Sequence, residues 1–153
     1  MDKQIDAQNI LKLYELRRDQ EMRRARGWYF SEFDPQNAAE IVTLMVSGEP
    51  ESAHYRMVTS YWDMAASLVN NGAVNEKLFL DANTEHLVVF AKIEPFVAEV
   101  RAIFKEPSYQ ANLEQLVMKI PNALEKLEAR RRLLSHWKNA NRAARSNETA
   151  SES

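Results

Sequence analysis

Residues 51–80 read ESAHYRMVTSYWDMAASLVNNGAVNEKLFL, and the apolar spacing in this stretch decides the fold class. From Ala53 to Val69 the apolar positions are Ala53, Tyr55, Met57, Val58, Tyr61, Trp62, Met64, Ala65, Ala66, Leu68 and Val69. On a 3.6-residue period they cover most of a helix circumference. Ser52, Arg56, Thr59, Ser60, Asp63 and Ser67 recur three or four apart and are expected to form one narrow polar stripe. A helix this apolar has to be wrapped by others, so residues 51–71 are expected as the central core helix. Asn71-Gly72 supplies the stop, because glycine after a helix takes the left-handed conformation without a Cβ clash. Asn75 then caps a short helix, with Val74 and Phe79 placed as a hydrophobic staple.

Outward from this core the remaining helices are marked by caps and prolines. A first helix is expected from Asp2 or Asp6 to about Arg26, with Ile10, Leu11, Leu13, Tyr14 and Leu16 as its apolar face. Gly27 is placed to end or kink it ahead of Trp28-Tyr29-Phe30 and Phe33. Asp34-Pro35 reads as the next start, with Asp as N-cap and Pro at the first helical position. That short helix stops at Ser47-Gly48. After Asn83 or Thr84 a long helix carries Leu87, Phe90, Ile93, Val97, Val100 and Phe104; Pro95 is expected to kink it, a break at Glu94 being the alternative. A brief helix around Leu113, Leu116 and Val117 follows, ended or bent at Pro121. The last helix has Leu124, Leu127, Leu134 and Trp137 as its stripe, interrupted by Arg131. Together these readings predict an all-α, single-domain bundle of five to seven helices over residues 1–145. Residues 146–153 are expected to form a disordered tail, since none there is apolar beyond Ala.

Within the core stretch, Tyr61-Trp62, then Leu68-Val69-Asn70-Asn71-Gly72-Ala73-Val74 and Leu78-Phe79-Leu80, followed by Pro95 and Arg101, carry a resemblance. They resemble a family of uncharacterised bacterial all-helical proteins catalogued as a domain of unknown function. The resemblance implies a small helical domain, attached in some members to membrane helices. It implies no activity and no functional residue.

Composition narrows the classes further. The chain has 153 residues, 45% hydrophobic, with only three Gly and five Pro. That scarcity of breakers favours long helices and few loops. The absence of Cys excludes disulfides, thiolate zinc sites and cysteine nucleophiles. The N-terminus lacks an apolar signal region, and the longest apolar run, Leu87 to Ala91, is too short to span a bilayer, so a soluble cytoplasmic protein is expected. Net charge is −2, distributed as +2 over residues 1–30, −8 over 31–118 and +4 over 119–153.

Candidate chemistry is sparse. Glu51 and His54 have the Glu-x-x-His spacing that sets two metal ligands on one helix face, but a ferritin-like site needs a second pair. His86 and His136 are preceded at that spacing by Asn83 and Leu133. Asp63 is a candidate buried carboxylate, against pairing with Arg56 or Arg101 or facing solvent. The Arg17, Arg18, Arg23, Arg24, Arg26 cluster and Arg130, Arg131, Arg132 lie on several helix faces among acidic neighbours, as solvated faces do. No catalytic, cofactor-binding or metal residue is assigned, and no cofactor. The expectation is a non-enzymatic interaction or self-association module, with Trp28, Tyr29, Phe30 and Trp137 near its surfaces and a homo-oligomer or another protein as partner. Nucleic-acid or anionic-surface binding through the Arg-rich terminal helices is the alternative, and an enzyme with a site formed only in three dimensions the second.

Overall fold

In the computed structural model, which describes residues 2–151, the expected core helix is α4, Pro50–Asn70. Before it come α1 (Lys3–Arg17), α2 (Gln20–Ser31) and α3 (Ala38–Val46). After it come α5 (Glu76–Ala82), α6 (Glu85–Phe104), α7 (Ala111–Met118) and α8 (Ala123–Ser151). There is no strand among the described residues, and the chain is an all-α single domain. α4 is wrapped chiefly by α2 and α7, with α3, α5 and α6 closing round it and α8 lying on α6. Tyr55, Val58, Trp62, Ala65 and Ala66 of α4 are buried together with Tyr29, Phe79, Phe90 and Leu116 from the surrounding helices.

The polar stripe of α4 does not lie where simple polarity put it. Ser52 and Thr59 are buried, and the exposed line runs through Ala53, Arg56, Ser60, Met64 and Leu68. Both buried hydroxyls are satisfied within the fold: Ser52 donates to the Met45 carbonyl (3.2 Å) and Thr59 to the Tyr55 carbonyl (2.8 Å). With its hydrogen bonds supplied locally, a small hydroxyl residue enters a core at little cost. The stop after α4 forms as read. Gly72 has φ +77°, its N–H reaches the Val69 carbonyl (3.0 Å), and Ala73 N–H reaches that of Leu68 (2.9 Å). This pair of bonds is the Schellman closure. Asn75 accepts from Leu78 N–H (3.0 Å), and Val74 and Phe79 are buried together with the core.

Three boundaries differ from the sequence reading. The expected first helix is two, because Asp19 accepts from the backbone N–H groups of Glu21 and Met22 and so starts α2 afresh. This capping adds a helix, giving eight among the described residues where five to seven were expected, and leaves Gly27 in the interior of α2 rather than at an end. α3 is capped by Asn37, not Asp34: Asn37 accepts from Glu40 N–H, while the Glu40 carboxylate accepts from Gln36 N–H, each at 2.9 Å. Two backbone donors satisfied at once, one by the Asn37 side chain and one by that of Glu40, outweigh the Asp-Pro signal. α8 continues through residues 146–151, where a tail was expected, and every residue from Asn139 to Ser151 is exposed; residues 152–153 lie outside the described residues.

Pro95 lies inside α6 without ending it. Lacking an N–H, it leaves the Ala91 carbonyl without its helical donor. Arg131 of α8 fills the gap: its guanidinium donates to Ala91 O at 2.7 Å and pairs with Glu94 at 3.6 Å. The arginine that interrupts the apolar stripe of α8 is thus there to complete α6.

Two stability measurements follow from these features. Gly72→Val should destabilise by about 1 kcal/mol or more through backbone strain alone, since nothing lies within 4 Å of the added Cβ; a denaturant melt checks it. Arg131→Met should cost about 1–3 kcal/mol by orphaning the Ala91 carbonyl. In a Pro95→Ala background, where residue 95 regains its donor, that cost should shrink. Equal costs in the two backgrounds would show that the arginine does not serve that carbonyl.

Candidate functional site

A polar assembly that joins four helices is centred on Glu85, the first residue of α6, where a carboxylate also faces favourable helix-terminal charge. Arg26 donates to it side-on, Nε to both oxygens at 3.0 and 3.1 Å and Nη2 at 2.6 Å. The indole N–H of Trp62 donates to its other edge at 3.1 Å, and Arg17 stands 3.9 Å away with its guanidinium over the Trp62 ring. Arg26 also donates to the Arg17 carbonyl (3.3 Å), and Tyr61 to the Leu13 carbonyl (2.5 Å). Burial pushes the Tyr61 phenol up to about 12, so it stays a donor at neutral pH. Arg17 and Arg26, expected on solvated faces, therefore tie α1, α2, α4 and α6 together.

Beside this assembly runs a groove between α2, the start of α6 and the middle of α8, with a volume of about 630 Å³. Gly27 and Phe30 of α2, Val88 of α6, and Leu134 and Trp137 of α8 form its apolar surface; Lys138, Arg142 and Arg145 form a basic rim. Trp137 is 60% exposed. A smaller cavity of about 170 Å³ adjoins it, lined in part by Phe30, Lys92, Pro95 and Arg131. Lys92 is half-buried there and burial pushes its ammonium down to about 8. It is not a free nucleophile: it donates to the carbonyls of Tyr29 and Phe33 at 2.6 Å and of Phe30 at 3.4 Å, closing the C-terminal end of α2.

The residues singled out in the sequence fall elsewhere. Glu51 sits in the first turn of α4, and His54 lies against Trp28, ring centroids 6.0 Å apart. Among the described residues no three His, Asp or Glu side chains come together in a way that would hold a metal. Asp63 pairs with neither Arg56 nor Arg101. Its carboxylate accepts from Leu113 N–H (3.0 Å) and the Asn112 side chain (3.1 Å), so α4 caps the N-terminus of α7, whose own Gln110 offers no side-chain cap. Arg101 instead donates to the Tyr109 carbonyl (2.8 Å) and pairs with Glu114 (3.1 Å). Trp28 and Phe30 pack against the core, whereas Trp137 is the open aromatic. The apolar stripe read from the sequence of α8 ends at Trp137 and so leaves out the alanines beyond it. Leu133, Trp137, Ala140 and Ala144, spaced four, three and four apart, are a second stripe, and all four are exposed.

His86 is buried against Trp62 and Phe79, with neither ring nitrogen hydrogen-bonded among the described residues. Burial, with the nearby Arg130 cation, pushes it down to about 4. Its unfolded value is about 6.5, so between pH 6.5 and 4 the unfolded chain binds the proton and the native state does not. Stability should therefore fall as pH drops through that window, by on the order of 3 kcal/mol from this group. His86→Leu should flatten the acid limb by that amount and be neutral or stabilising at pH 7. Denaturant titrations of both proteins from pH 7 to 4 give the comparison; parallel pH profiles would refute it.

Residues 4–120 match the family described as Domain of unknown function (DUF4760), and the chain belongs to that family. The match takes in α1 to α7 and stops before α8. No curated protein matches the chain, and no solved structure matches it.

Proposed function

We propose that this protein is a non-enzymatic helical module that self-associates through α8, its partner being a second copy of the chain. The observation that carries this reading is the exposed stripe Leu133, Trp137, Ala140 and Ala144 on a helix whose residues 139–151 are all exposed. Four-three-four spacing is the seam of paired helices, and the alanines let two backbones approach closely. A polar helical segment of this length is marginal in water without packing, because isolated helices shorter than about 12–15 residues gain too little to offset nucleation. A second α8 laid along the stripe supplies the missing surface. Leu133 and Trp137 are 43% and 60% exposed, so a partner has apolar area to cover. A two-fold dimer is the commonest arrangement of such self-complementary patches.

No helix among the described residues is long and apolar enough to cross a membrane. The reading takes the protein as soluble, and cytoplasmic location is part of the proposal, supported by the lack of Cys.

The test is light scattering over a concentration series, comparing the wild type with Leu133→Ser/Trp137→Ser. The wild type should approach twice the monomer mass by about 0.1 mM, and the variant should dissociate at least about tenfold more readily. Its melting should change little at low concentration, because both side chains are largely outside the core. A monomeric wild type, or a variant that dimerises equally well, would remove the proposal.

A further inference from the structure

The corner between α1 and α2 gathers more positive charge than its ion pairs use. A notch of about 280 Å³ is lined there by Tyr14, Arg17, Arg18, Arg23 and Arg26. Two of these guanidinium groups, Arg17 and Arg26, share the single carboxylate of Glu85, which leaves one cation in excess. Arg17 Nε is buried and has no hydrogen-bond partner among the described residues. Arg18 and Arg23 are exposed and make no ion pair with a described carboxylate, unlike Arg24, which pairs with Glu21 at 3.0 Å. Tyr14 holds the geometry, with the Arg17 and Arg18 guanidinium carbons 5.3 and 5.9 Å from its ring centroid. From these we infer that the α1–α2 corner is a binding site for a single phosphate group.

The ligand class follows from charge and size. Guanidinium groups present paired donors that match phosphate oxygens, and four of them round one notch favour a compact dianion over a carboxylate. A long nucleic acid fits less well, since affinity for its backbone needs several phosphates contacted in register. Here Glu15 and Asp19 line the neighbouring depression on the far side of Arg18 and repel a polyanion that extends past the notch. Arg18 and Arg23 are the free arms that close on the ligand; Arg17 and Arg26, anchored by Glu85, form the fixed floor. This site is separate from the α8 stripe, and the two proposals stand or fall independently.

The probe is inorganic phosphate, titrated at constant ionic strength against the full chain and followed by the Arg Nε–H resonances in NMR. Saturable shifts of Arg17 and Arg26 are expected. Arg18→Gln/Arg23→Gln, which alters only exposed side chains, should weaken the apparent affinity at least about tenfold while leaving the amide spectrum of the core unchanged. A second arm uses phosphatidylcholine vesicles with and without phosphatidic acid. Sedimentation with the phosphatidic acid vesicles alone, competed by free phosphate and lost in the double variant, would identify a lipid headgroup as the source of the phosphate. Binding of free phosphate without vesicle capture would identify a soluble phosphate ester. Linear, non-saturating shifts, or equal binding by the double variant in either arm, would overturn the site.

Discussion

The indole N–H of Trp62 has to be satisfied inside the core, and much of the arrangement around α4 follows from how that is done. Trp62 is among the largest side chains fully buried in the fold, and a buried donor without an acceptor costs about 1–3 kcal/mol. Glu85 supplies the acceptor from the start of α6. A carboxylate drawn that far in is itself costly unless paired. Arg26 and Arg17 provide the pairing, and with it they set where α1 ends and how α2 leaves it. One buried hydrogen bond thus links four helices, and its by-product is the arginine-lined corner.

The same economy recurs at the helix ends. Lys92 closes α2 from α6, Asp63 opens α7 from α4, and Arg131 repairs the proline gap of α6 from α8. In each case a charged side chain from one helix serves backbone groups of another, where a local cap would have served only its own. Such bonds join secondary structure to packing, because losing one both frays a helix and loosens a contact. They also explain why a chain with three glycines and five prolines tolerates so many turns. Its charged residues, which look like solvated faces in the sequence, are in several cases internal ties.

The association proposed for α8 and the phosphate site inferred at the α1–α2 corner draw on opposite ends of the chain. The family match covers residues 4–120, so the corner belongs to the family domain and α8 lies beyond it. From Asn139 to Ser151 every residue of α8 is exposed, so that part of the helix is free to be shaped by a partner rather than by its own domain.

Apolar periodicity by itself determined the all-α class, the central position of α4, and the Gly72 closure with its restart at Asn75. Each rests on interactions between residues a few positions apart, where spacing and conformational preference leave little choice. It could not determine the break at Asp19, the burial of Ser52 and Thr59, or the purpose of Arg131. Those depend on which carbonyl or carboxylate lies opposite once the helices have packed. The corner and the groove were beyond it for the same reason. Arg17 and Arg26 look alike as residues, as do Arg18 and Arg23; only the arrival of Glu85, nearly sixty positions away at 59 residues from Arg26, divides them into anchors and free arms.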